Sequence, residues 1–255
     1  MKHTKFTTVR EGLTISGNIY AEDFDTKRPA FILSHGFMAN QATVKDYAKV
    51  IAECGYVAVT FDFCGGGLMS KSQGRHQDMS VLTEMKDLEA VIEYVHGLEY
   101  TTGEISLLGC SQGGFVSAMV AAKLGYGDIS SLILVYPALC IPDDARRGHM
   151  MWAHFDPQNI PETIMCGPMK LGSCYVKAVI DMDPYERIEG YDGPVLYLHG
   201  TADEIVNISY AREAVKHYRK VSYFELEGAG HGFSGRAETE ARERIAEFVR
   251  KPIRP

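Results

Sequence analysis

The apolar run Ile105-Ser106-Leu107-Leu108 leads directly into Gly109-Cys110-Ser111-Gln112-Gly113-Gly114, and Phe115, Met119 and Ala122 then continue at helical spacing. A strand that reverses into a helix around one apex residue closes too tightly for side chains on its flanks. Glycines there free the backbone and turn the apex hydroxyl outward. Ser111 holds the apex, and G-x-S-x-G between strand and helix predicts an exposed serine nucleophile at a sheet edge. Cys110 lies one place off the apex and is expected to point into the sheet as a core thiol.

A turn of this kind needs a sheet built of strands alternating with helices. Short β-branched and aromatic runs recur at Leu13–Tyr20, Phe31–Ser34, Tyr56–Phe61, Ile105–Leu108, Leu132–Tyr136, Val195–His199 and Ser222–Leu226. Amphipathic stretches separate most of them, which predicts an α/β fold with a mostly parallel sheet flanked by helices. The clearest helix follows Asp78: Met79, Leu82, Met85, Leu88, Ile92 and Val95 form its apolar stripe, with Glu84, Lys86, Asp87 and Glu93 expected to face away from it. With 255 residues, 45% of them hydrophobic, the chain can bury one full core, so residues 1–255 are read as a single domain.

A serine hydroxyl is a weak nucleophile at neutral pH, and it requires a histidine to take its proton and a carboxylate to fix that histidine's tautomer. After this kind of serine turn, the partners follow in the order acid, then histidine. Asp203 closes Gly200-Thr201-Ala202-Asp203 just after the strand Val195–His199. His231 lies in Gly228-Ala229-Gly230-His231-Gly232-Phe233 just after Ser222–Leu226. Glu204 is an alternative acid, Glu227 stands too close to His231 in sequence, and His217 reads as a helix-surface residue. The expected N–H donors to a developing oxyanion are those of Gln112, after the nucleophile, and Phe37, in His35-Gly36-Phe37-Met38 at the end of Phe31–Ser34. Gly65-Gly66-Gly67 lacks both phosphate-loop patterns and is read as a mobile loop beside the site.

The strand and helix rhythm breaks over residues 138–193. This stretch holds five prolines, Trp152 and several methionines, and is read as a lid insertion. Its Trp152, Phe155, Tyr175 and methionines suit a flat or irregular apolar group, and Asp144 suits a substrate hydroxyl.

A net charge of −7, with no basic cluster, argues against nucleic acid as a partner. No apolar run is long enough to span a bilayer, and no secretory signal is visible at the start, so a cytoplasmic location with no membrane partner is expected. The six cysteines form no C-x-x-C pair and are read as buried thiols. No ligand spacing for a metal is present, and no cofactor is expected. The expected partner is a small-molecule ester, and a homodimer is left open.

His35-Gly36-Phe37, Gly109–Gly114, Gly200–Asp203 and Gly230-His231-Gly232-Phe233 together resemble the α/β-hydrolase superfamily of serine esterases. Asp62-Phe63-Cys64-Gly65 and Ile141-Pro142-Asp143-Asp144-Ala145 extend the likeness to bacterial cinnamoyl (feruloyl) esterases. The resemblance implies an eight-stranded sheet and a small lid whose polar groups hold the phenolic end of a hydroxycinnamate. Asp144 matches an acidic position of that lid, Met151 stands where the family's lid carries a glutamine, and Trp152 adjoins it. Two other readings are a serine peptidase resembling prolyl oligopeptidases, and a general short-chain acyl esterase. A hydrolase fold turned ligand binder would normally have lost one of the three residues, and all are present.

Overall fold

A computed structural model describes residues 1–251. Its main sheet has eight strands: β1 (Lys2–Arg10), β2 (Leu13–Ala21), β3 (Arg28–Ser34), β4 (Val57–Phe61), β5 (Thr101–Cys110), β6 (Ile129–Val135), β7 (Val195–Gly200) and β8 (Val221–Leu226). They lie in the order β1-β2-β4-β3-β5-β6-β7-β8. β2 runs antiparallel to both of its neighbours, and every pairing from β4 onward is parallel. The central strands are buried on both faces, which is why they read as nearly continuous apolar runs.

β1 is the strand missing from the sequence reading. It is an edge strand of Lys, His, Thr and Arg with mostly exposed side chains, so it lacks the apolar alternation that marks a strand. Phe6 is its buried anchor, stacked on Tyr94, and Gly17 opposite has no room for a side chain: a Cβ there would sit 2.2 Å from the Phe6 ring.

Helices cover both faces. α1 (Lys45–Glu53) packs with the C-terminal helix, Gly235–Arg250, on one side. α2 (Val81–His96) and α3 (Gln112–Leu124) share the other. Ser80 caps α2 in a reciprocal capping box with Thr83, which places the start of the helix three residues beyond Asp78. Glu84 and Asp87, expected on the solvent side of α2, are buried at 1% and 0% exposure. Arg10 on β1 donates to Asp87 at 2.7 Å, as does the Cys64 N–H at 2.9 Å, so an ion pair clamps the edge hairpin to α2.

Between β6 and β7 the chain leaves the sheet. It forms α4 (Ile141–Arg146), two short hairpins (His149–Met150 with Ala153–His154, and Thr163–Cys166 with Met169–Gly172), α5 (Ser173–Lys177) and α6 (Pro184–Ile188). Its apolar side chains, Ile164, Leu171, Tyr175 and Val176 among them, join the core on the α2 and α3 side. Arg146 donates to the carbonyls of Ile180 and Met182, and Asp143 accepts from Tyr210, tying the insert to itself and to the body.

Two expectations change. Gly65, Gly66 and Gly67 are buried and bonded: the Gly66 N–H donates to Phe63, Gly67 pairs with Met38, and a Cβ at Gly67 would overlap the Ala39 carbonyl. The glycines are there for close packing. All six cysteines are free, but Cys174 is exposed and Cys54 only half-buried.

Candidate active site

Loops at the carboxyl ends of β3, β5, β7 and β8 converge on Ser111, where an open α/β sheet of this kind places a ligand. Ser111 caps α3 with φ 53° and ψ −122°, a region non-glycine residues rarely enter. Its N–H bonds to Val135 at 3.0 Å and its carbonyl accepts from Ala138 at 2.9 Å, so β6 pins the turn. Side chains on the flanks would collide: a Cβ at Gly109 would lie 2.2 Å from the Gly113 carbonyl, and one at Gly113 2.2 Å from that of His35.

His231 bridges the other two residues. Its Nδ1 lies 2.8 Å from Asp203 Oδ2 and its Nε2 lies 2.9 Å from Ser111 Oγ. A carboxylate only accepts, so Nδ1 carries the proton and Nε2 is left to accept from the serine hydroxyl. The Tyr136 ring packs against the imidazole at 4.7 Å and against Phe233 at 4.7 Å, fixing the plane of the ring.

Asp203 is held from several sides. Oδ1 accepts from the N–H groups of Ile205 and Val206 at 2.9 and 2.8 Å, and His199 Nε2 lies 3.3 Å from Oδ2. Burial opposes ionisation, yet the bonds from His199, His231 and Val206 outweigh it and hold the carboxyl well below the usual carboxylate range. Glu204, the alternative acid, is exposed and borders the cavity rim, and it is Asp203 that accepts from His231.

The β3 loop meets Ser111 from the opposite side. Gly36 permits the approach, since a Cβ there would lie 3.0 Å from Ser111 Cβ. His35 braces the loop: its Nε2 accepts from Phe63 N–H at 3.1 Å, so Nδ1 donates to the Gly36 carbonyl at 2.8 Å, and burial pushes its pKa down, in keeping with a neutral ring. Phe37 and Gln112 both border the cavity that exposes Ser111. Cys110 is buried beneath the turn, and desolvation raises its thiol to about 12, which leaves essentially no thiolate at neutral pH.

The cavity measures about 150 Å³, and its far wall comes from the insert. Asp144, Met151 and Trp152, singled out in the sequence, all line it. Tyr175, named with the aromatic residues of the insert, lines it as well, and so do His149, Cys140 and Ile205, which no spacing rule marks. Asp144 is half-buried. Desolvation raises its carboxyl despite the nearby Cys140, His149 and Arg147. Trp152 lies at the rim, 66% exposed, across Gly167 of the second hairpin. Phe155 packs on the core and is not among the lining residues. Wider depressions elsewhere, such as the 470 Å³ groove on the C-terminal helix, are lined by Arg236, Glu240, Glu243 and Arg244 and carry no comparable convergence.

Residues 25–166 match the Hydrolase_4 family, described as serine aminopeptidase, S33. The chain belongs to that family. This α/β-hydrolase superposes on Est1E of Butyrivibrio proteoclasticus with ferulic acid bound at a TM-score of 0.88, with 27% identity over 96% of this chain and 97% of the other. That bears out the resemblance to feruloyl esterases. The esterase PF2001 of Pyrococcus furiosus shares the fold at a TM-score of 0.72, with 17% identity over 98% and 92% of the two chains. Esterase LipC of Mycobacterium tuberculosis is 40% identical over 147 residues, 51% of this chain and 34% of LipC, so the match spans about a third of that relative. Among the described residues, no helix is long and apolar enough to cross a membrane, and no group of three or more His, Cys, Asp or Glu side chains is placed to hold a metal ion.

Proposed function

We propose that the protein is a serine carboxylesterase that hydrolyses small esters of aromatic, hydroxycinnamate-type acids through an acyl-enzyme on Ser111. The observation that carries this reading is the continuous hydrogen-bonded line from Ser111 Oγ through His231 to Asp203, opening on a cavity with Asp144 in its wall.

In the first half-reaction, neutral His231 takes the serine proton at Nε2 as Oγ attacks the ester carbonyl carbon. Asp203 stays ionised and stabilises the imidazolium. The carbonyl oxygen becomes an oxyanion and accepts from the main-chain N–H groups of Phe37 and Gln112, worth about 3 kcal/mol per donor in such sites. His231 then protonates the departing alcohol oxygen, leaving the acyl group on Ser111. In the second half-reaction, a water gives its proton to His231 and attacks the same carbon, the acid leaves, and Ser111 recovers its proton.

The acyl group enters toward Asp144, whose carboxylate accepts from the phenolic hydroxyl, while Met151 and Trp152 flank the ring. Ferulic acid bound to the similar Est1E supports this choice of acyl group. Methyl ferulate and caffeate are therefore expected to exceed nitrophenyl acetate, butyrate and laurate in kcat/KM, with aminoacyl nitroanilides cleaved negligibly. Asp144→Ala is expected to raise KM for hydroxylated cinnamates about tenfold, the value of one charge-assisted hydrogen bond, and to leave unsubstituted cinnamate within about twofold. A preference for laurate, or an equal effect of Asp144→Ala on all cinnamates, defeats the phenol-anchor reading. Efficient nitroanilide cleavage moves the protein to the peptidase reading.

A further inference from the structure

Glu84 is a fully buried carboxyl group that the proposed chemistry does not use. It projects from α2 toward the back of the nucleophile turn, where its Oε2 accepts from Gln112 Nε2 at 2.8 Å. Gln112 Oε1 in turn accepts from the Tyr175 hydroxyl. The directions are fixed by chemistry: the phenol donates to the amide oxygen, which turns the amide nitrogen toward Glu84. The other carboxyl oxygen, Oε1, is buried without a hydrogen-bond partner and abuts Gly66, where a Cβ would lie 2.5 Å from it. One side chain thus joins α2, the first residue of α3, helix α5 of the insert and the glycine segment after β4.

We propose that Glu84 is a positioning residue for the oxyanion hole, acting through Gln112 to set the Gln112 N–H and through Tyr175 to lock α5 onto the start of α3. The proposal rests on the serine-hydrolase reading of the site. Gln112 supplies the expected main-chain donor beside Ser111, and its side chain has both polar ends held, so the peptide carrying that donor cannot turn without breaking one of the two bonds. Because Tyr175 lines the substrate cavity, the same line sets one wall of the cavity relative to the nucleophile.

The charge state matters to this role. Burial drives the Glu84 carboxyl well above its ordinary range against the effect of the Gln112 bond, and Asp87, one turn along α2, pushes it further in the same direction. The groups facing it are Asp87, whose charge is paired with Arg10, and Tyr175, whose own ionisation burial also defers to strongly alkaline pH. A neutral Glu84 leaves the rear of the oxyanion hole uncharged. An ionised one would set a negative charge behind a site that must hold a second one in the transition state.

The test uses Glu84→Gln and Glu84→Leu in the full chain, with nitrophenyl butyrate turnover from pH 6 to 10 normalised to sites titrated by a fluorophosphonate. Glu84→Leu is expected to lose about tenfold in kcat per titrated site, with KM changed much less. Glu84→Gln, which mimics the protonated acid and can still accept from Gln112, is expected to retain kcat per titrated site within about threefold of the parent at pH 7. Wild-type kcat per site in Glu84→Leu, or a loss in Glu84→Gln as large as that in Glu84→Leu, overturns the proposal. If Glu84→Leu does not fold, Tyr175→Phe, which breaks the same line at the Gln112 amide oxygen, takes its place, with a loss of kcat per site expected and a parent-like value overturning the proposal. A parent that takes up no fluorophosphonate defeats the serine-hydrolase reading instead, a result distinct from either.

Discussion

Asp203 collects hydrogen bonds from two main-chain N–H groups and from His231, with His199 close beside it, so its charge is committed before any substrate arrives. In Asp203→Asn the amide cannot accept at every one of these positions, and His231 loses the partner that keeps its proton on Nδ1. Turnover on nitrophenyl butyrate is expected to fall by about 10⁴, with KM within a few-fold, as when the wrong tautomer is enforced in such a triad. An unchanged kcat would transfer the acid's role to Glu204. Because the folded Asp203 pKa is depressed, its contribution to stability is complete above the ordinary carboxylate range, about pH 4, and is lost as the pH falls toward the folded value. The stability gap between parent and Asp203→Asn, followed by urea unfolding, should therefore narrow below about pH 4. That Ser111, His231 and Asp203 come together was legible because chain order and the loop after each strand restrict them. His199 was not, since a histidine ending a buried strand reads as core, and its bearing on Asp203 depends on the fold of the loop that follows.

At the scale of elements, α2 shows where pattern reading stops. Its apolar stripe identified a helix correctly, but the rule that charged residues face solvent misplaced Glu84 and Asp87, which are buried against partners from distant parts of the chain. Arg10, Cys64 and Gln112 supply those partners, and no local spacing joins them. β1 was missed for the converse reason, since its side chains are polar and exposed while its backbone pairs fully with β2. The two omissions meet in the Arg10 and Asp87 pair. Arg10→Ala leaves the Asp87 carboxylate buried with one N–H donor from Cys64, and is expected to destabilise the fold by about 3 kcal/mol in urea unfolding. A change below about 0.5 kcal/mol would show that the clamp contributes little. In the insert, the broken rhythm and aromatic content predicted a separate segment, but not its two short hairpins, whose strands of two and four residues are too brief to carry a period.

Across the whole molecule, the parallel strands bring four loops from far apart in the chain to one sheet edge, and the insert closes the space above them. The sheet's class was readable from alternating strands and helices. The position of the insert's side chains was not, because they are placed by packing onto α2 and α3 rather than by any repeat of their own. The same arrangement makes one claim central, that Ser111 is the residue acylated. Intact-mass analysis after treatment with a fluorophosphonate measures it directly. The expected result is one phosphonyl group per chain, mapped to Ser111 and absent in Ser111→Ala, whose ester turnover should fall by about a millionfold. Stoichiometric labelling that persists in Ser111→Ala, or a parent that hydrolyses esters without being labelled, would contradict the account.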